Sequence, residues 1–137
     1  MSVAKKLDHL GIAVNDLDAA RAFYEQVLGI PCTHVEELPE RGIRVAFLAL
    51  GDVRLELIAP MRPGSEVSRF LDTRGPGLHH LCFQTDDCAA SLARLKADGV
   101  RLIDEAPRPG AHDTSVGFVH PKAASGVLIE LAQHRRE

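Results

Sequence analysis

The chain has 137 residues, 26% of them charged and 45% apolar, and a formal net charge of −3. A chain of that length can bury roughly 68–70% of the surface its unfolded form exposes, so a single domain over 1–137 is expected, built of two modules at about 7–59 and 78–133. Its lysines and arginines are scattered, adjacent only at Lys5-Lys6 and in the basic cluster Arg135-Arg136, and point to no nucleic acid, no run approaches the ~20 apolar residues of a membrane span, and three cysteines without a CxxC read as reduced, buried thiols of a cytoplasmic protein.

Residues 7–14, LDHLGIAV, alternate as a strand with Leu10, Ile12 and Val14 on one face and His9, Gly11 and Ala13 on the other. Asp16 is positioned to cap a helix of about three turns that carries Leu17, Ala20, Tyr24, Val27 and Leu28 as its apolar stripe and ends at Gly29. A weak strand near 32–37 follows, then strands over 43–50 and 52–59 joined by a tight Gly51-Asp52 hairpin. The Pro- and Gly-rich segment 60–77 holds a short helix started by Ser65. The second module repeats the order: a strand over 78–85, a helix capped by Asp86 or Asp87 and ended by Gly99, then strands over RLID, TSVGFVH and GVLIELAQ. Two βαβββ copies predict an α+β fold with one cupped, mostly antiparallel eight-stranded sheet and helices outside it.

The duplication also places chemistry. His9 to Glu56 spans 47 positions and His80 to Glu130 spans 50, and HLGIAVNDLDAA is answered by HLCFQTDDCAAS. A period near 70 residues suits a paired module rather than a solenoid. Strand parity puts His9, Glu56, His80 and Glu130 on the face opposite the helix-facing residues, whereas His79 falls in phase with Leu81 and Phe83 and is assigned to packing or to support of a ligand. For any one of these side chains a solvated sheet residue is the simpler reading. Four at matching places favour a divalent cation, because imidazole and carboxylate together suit Co, Ni, Mn, Zn or Fe and leave coordination positions open for a substrate. His34, His112, His120 and His134 have no counterpart in the other copy and read as loop or surface residues, with His112 in RPGAHDTSVGFVHPK retained as a substrate candidate and His120 as part of a turn.

HLGIAV, LPERGIRVAFLALGDVRLELIAP, GLHHLCF, SEVSRFL and the closing GAH, HPK and GVLIEL make residues 7–133 similar to the vicinal-oxygen-chelate superfamily and, within it, to the methylmalonyl-CoA epimerases. The resemblance implies that His9, Glu56, His80 and Glu130 hold the metal, that an acyl-CoA is the substrate, that its C2 proton is exchanged through an enolate, and that the product serves propionate metabolism. It also implies a homodimer. Some members carry a second carboxylate base on the strand after the PExG turn; Val45 stands there in this chain, so Glu130 and Glu56 are assigned as the two bases, as in related glyoxalases, with Glu36, Glu37 and Glu40 as reserves. Cationic loop residues for the CoA moiety are Arg69 and Lys122, with Arg62 and Arg108 also available. A glyoxalase I type lyase on a glutathione-like hemithioacetal shares the ligand set and is the competing enzyme. An extradiol dioxygenase would leave Glu56 superfluous, and a small-molecule binding or resistance protein would need no ligand quartet and more aromatic lining than one Tyr and no Trp supply.

Overall fold

The computed structural model describes residues 2–135; Arg136, half of the expected basic cluster, lies outside them. Eight strands and three α-helices follow the expected order: β1 (Lys6–Ala13), α1 (Leu17–Arg21), β2 (Cys32–Leu38), β3 (Ile43–Leu50), β4 (Val53–Pro60), α2 (Glu66–Arg74), β5 (Gly77–Gln84), α3 (Cys88–Ala97), β6 (Arg108–Gly110), β7 (Thr114–Val119) and β8 (Ile129–His134). The α+β class and the mostly antiparallel eight-stranded sheet are borne out: β2–β3, β3–β4, β6–β7 and β7–β8 pair antiparallel, while β1–β4 and β5–β8 pair parallel. No helix among the described residues is long and apolar enough to cross a membrane.

The chain divides into two compact units, one of His9–His79 and one of the residues before His9 together with those from His80 onward. In the first, β3 and β4 form a hairpin closed at Leu50 and Val53, with Gly51 at φ +61°, a value that an L side chain tolerates poorly. Even-numbered β3 residues Ala46 and Leu48 pack with odd-numbered β4 residues Leu57 and Ala59 against Leu17, Ala20 and Tyr24. That parity leaves Val45, Phe47, Arg54 and Glu56 to the opposite face. In the second unit Phe83 and Leu131 join Cys88, Leu92 and Leu95 on the helix side, and Cys82, Val116 and Ala132 cluster on the other face. Gly117 allows α3 its close approach, since a Cβ there would stand 2.6 Å from Leu92 Cδ1.

Helix starts fall where capping chemistry requires them. Asp16, Ser65 and Asp87 each accept a backbone N–H three residues on, from Ala19, Ser68 and Ala90, so Asp87 rather than Asp86 caps α3. Two expectations fail. The first helix is α-helical for only five residues and continues as a π-helix over Ala22–Val27, with Leu28 N–H donating to Phe23 O. The wider turn shifts the residues after it off the 3.6-residue stripe, so Val27 and Leu28 are 70% and 53% exposed instead of packed. RLID forms no strand: it makes one bridge, Leu102 to Val119, because the backbone N–H groups of Ile103 and Asp104 both turn onto Phe118 O and the Asp104 carboxylate accepts from Phe118 N–H. The edge strand is the three-residue β6 instead.

The three-residue difference between the halves has a location. Phe47 lies 38 positions after His9 and Phe118 lies 38 after His80, so the copies stay in register to that point. Phe47 pairs across the sheet with Glu56, nine positions on, and Phe118 with Glu130, twelve on. The extra length sits at the 3₁₀ turn Pro121–Ala124, which His120 caps by accepting from Lys122 N–H.

Candidate metal and substrate site

In the first unit, β1 and β4 run parallel with His9 beside Arg54 and Gly11 beside Glu56. Imidazole and carboxylate are therefore diagonal neighbours on one face, within reach of a long side chain. His9 Nδ1 lies 3.2 Å from Glu56 Oε2. Both residues are only 5% exposed. Arg54 closes the group: its terminal nitrogen donates to Glu56 Oε2 at 3.0 Å and stands 3.5 Å from His9 Nδ1, with the guanidinium carbon 5.8 Å over the Phe47 ring. The two neighbours make opposite demands on Nδ1, because a hydrogen bond to the carboxylate needs a ring N–H and one from Arg54 needs a lone pair.

The second unit repeats the layout. Cys82, 71 positions after Gly11, is the small neighbour of Glu130 across β5–β8. His80 Nε2 is 3.1 Å from Glu130 Oε1, and the two are 4% and 5% exposed. Phe118 packs edge-on against His80, with ring centroids 5.9 Å apart. An arginine again covers the phenylalanine, Arg108 at 5.2 Å, yet its ion-pair partner at 3.4 Å is Asp104 rather than the candidate ligand.

These pairs have the dimensions of a metal site. Two donors set at right angles on one ion, each with a bond of ~2.1 Å, stand ~3.0 Å apart, close to the spacing seen in both pairs. Taking a carboxylate and an imidazole out of water costs on the order of several kcal/mol unless a proton, a cation or a hydrogen-bond network compensates, and a divalent cation compensates both donors together. Cys88 is a poor donor for such an ion, because burial, with Asp87, Glu130 and Asp104 adding smaller effects, pushes its thiol up to about 11.

The remaining sequence candidates lie elsewhere. His112 is exposed in the turn between β6 and β7, where it and Asp113 both adopt left-handed backbone, φ +62° and +55°. Arg69 is exposed on α2 and donates to Gly64 O, and Lys122 is exposed in the 3₁₀ turn. Val45 is buried on the same face of β3 as Phe47, so no carboxylate stands at that point. His79 packs edge-on against Phe70, as its parity indicates. His34 is an exposed residue of β2, stacked on Phe47 at 4.4 Å, in keeping with its surface assignment, whereas His134 corrects that assignment: half-buried in β8, it has its Nε2 2.7 Å from Asp8 Oδ1. Asp8, 2% exposed and also accepting from Gln84, carried no sequence signal beyond its place before His9. Arg54 and the two phenylalanines were legible in principle, the first from i, i+2 parity with Glu56 and the others from the shared 38-residue interval.

Residues 8–118 match the family described as the Glyoxalase/Bleomycin resistance protein/Dioxygenase superfamily. The chain is 38% identical over 130 residues to an ethylmalonyl-CoA/methylmalonyl-CoA epimerase of Cereibacter sphaeroides, covering 93% of this chain and 97% of that one. Among solved structures it is similar to methylmalonyl-CoA epimerase from Mycobacterium tuberculosis, with a TM-score of 0.93, 41% identity and coverage of 99% and 92% of the two chains. It is also similar to a methylmalonyl-CoA epimerase in complex with methylmalonyl-CoA and NH4+, with a TM-score of 0.92, 37% identity and coverage of 98% and 96%.

Proposed function

The chain belongs to the glyoxalase/bleomycin resistance protein/dioxygenase superfamily, among its methylmalonyl-CoA epimerases, and on that premise we propose that it interconverts the C2 epimers of methylmalonyl-CoA with the help of one divalent cation. The observation that carries the proposal is the duplicated, buried His–Glu pair, His9 with Glu56 and His80 with Glu130, each at the separation of two donors on one ion. The four side chains are the proposed ligands, and Co, Ni, Mn, Zn or Fe fits their chemistry. A bound cation would supply Lewis-acid stabilisation for the negative charge that develops on the thioester as C2 is deprotonated.

The chain's own carboxylates move the proton. Glu130 takes it from C2 of one epimer, the C–H electron pair passes into the carbonyl to give the enolate, and Glu56 delivers a proton to the opposite face. Roles exchange for the reverse reaction. With Val45 on the ligand face of β3, these two carboxylates are the assigned bases, and Glu36, Glu37 and Glu40 are the alternatives. His112, Arg69 and Lys122 are proposed contacts of the acyl-CoA. A cytoplasmic homodimer is the expected form, which sedimentation of the purified protein would read directly.

Proton NMR of methylmalonyl-CoA in D2O with the metal-loaded protein tests the reading. Epimerisation with one deuterium gained at C2 is expected. Absence of wash-in from a sample that isomerises a glutathione hemithioacetal would instead identify a glyoxalase I type lyase.

A further inference from the structure

We infer that Arg101, His120 and Lys122 form a subsite for the phosphate-bearing nucleotide end of the acyl-CoA, and so set a preference for CoA thioesters over thioesters of the phosphate-free pantetheine arm. The inference rests on the epimerase reading above and deepens it. His120 directly follows β7, two residues beyond Phe118, and its backbone N–H donates to Arg101 O at 3.1 Å. The bridge between Leu102 and Val119 fixes the same register, so Arg101 stands opposite His120 and shares its face. Alternation makes that the face of Phe118, the residue paired with Glu130, about 7 Å back along the strand.

The three side chains are equipped for phosphate. Arg101 and Lys122 are exposed and have no ion-pair partner among the described residues. By contrast Lys5, Arg94, Lys96, Arg108 and Arg135 of the same unit each lie within 4.0 Å of a carboxylate. His120 Nδ1 accepts the Lys122 N–H at 3.0 Å, which leaves the neutral ring with its proton on Nε2 as a donor. Partial desolvation holds that ring below the ordinary histidine value, and the charges of Arg101 and then Lys122 add to the effect. A phosphate among them gains a guanidinium fork, an ammonium and a ring N–H, and it relieves the repulsion between the two cations. The nucleotide end carries most of the negative charge of an acyl-CoA, and the long pantetheine arm sets it apart from the reacting carbon and the ligand carboxylates.

The cluster is an addition to the repeated frame. The equivalent backbone bond of the first unit, from Ala49 N–H to Pro31 O at 2.9 Å, joins two uncharged residues. Lys122 lies in the 3₁₀ turn Pro121–Ala124, where the second copy carries its extra length and the first has the tight Gly51-Asp52 hairpin.

Epimerisation kinetics of methylmalonyl-CoA and of methylmalonyl-pantetheine, on metal-loaded wild type, R101Q, K122Q and the double variant, test the inference. A separate readout is adenosine 3′,5′-bisphosphate titrated into each protein and followed by the His120 ring proton resonances. Each single variant should lower the kcat/KM preference for the CoA thioester about fivefold, the scale of one exposed ion pair, chiefly through KM, and the double variant should lower it further. The bisphosphate should shift the His120 resonances of wild type and move those of the double variant far less. An unchanged preference in the double variant, whether from no loss or from equal losses on the two thioesters, would overturn the subsite, as would wild-type His120 resonances that stay in place. If wild type epimerises neither thioester, the epimerase reading falls and the bisphosphate titration alone decides the cluster.

Discussion

The two His–Glu pairs share one layout and differ in what surrounds them. Each sits on a parallel strand pair beside a small residue, Gly11 or Cys82, and opposite a phenylalanine covered by an arginine. In the first copy that arginine is ion-paired to the candidate ligand Glu56; in the second it is paired to Asp104, a carboxylate that also fixes the Phe118 backbone. The repeated frame thus presents the same His–Glu layout twice, and only in the first unit does the arginine over the phenylalanine reach the carboxylate.

The largest effect should come from the carboxylates. E130Q and E56Q should each slow deuterium wash-in at C2 by about 10²- to 10⁴-fold, the contribution of a positioned acid or base, with a smaller loss of metal affinity. Retained wash-in in both would move the base to Glu36, Glu37 or Glu40. Truncating the paired phenylalanines should show how far the halves remain equivalent in packing. F47A and F118A remove side chains that are 0% and 3% exposed, and each should lower unfolding stability by about 3–5 kcal/mol in denaturant titrations. A difference between them larger than that range would show that the inherited frame no longer carries equal weight in the two units.

Smaller still are the caps. D16A and D87A remove equivalent side-chain bonds at sites 71 positions apart, and each should lower thermal stability by about 1 kcal/mol. Cys88 has no partner of its type in the first copy, where Leu17 stands. Its thiol is held neutral in the folded protein up to about 11, above the ordinary value of 9.0, so its contribution is complete below pH 9 and is lost as pH rises through about 11. Alkaline unfolding of C88A should therefore be less steep in that interval than that of wild type, and iodoacetamide at pH 8 should reach the partly exposed Cys32 before Cys88.

Strand parity carried most of what could be read in advance. It placed His9, Glu56, His80 and Glu130 on the face opposite the helix-packed residues, and it placed His79 with the packing against Phe70. Turn and cap chemistry located the β3–β4 hairpin and the three helix starts, because those signals are local. Parity names a face but not which long side chains meet across strands, which is why the Arg54 contact to Glu56 and the Asp8 contacts to Gln84 and His134, 76 and 126 positions apart, emerged only from the folded chain. The π-helix over Ala22–Val27 broke the period on which Val27 and Leu28 were assigned to the core. RLID has strand-like composition, and it lost its ladder to a side chain within itself, Asp104.

In the proposed function His9, Glu56, His80 and Glu130 bind a single cation. Co2+ titrated into metal-free protein, followed by calorimetry and elemental analysis, reads it most directly on wild type, H9A and H80A. The account predicts one ion per chain and a loss of tight binding in either variant. Two ions per chain, or full binding retained in one of the variants, would contradict it.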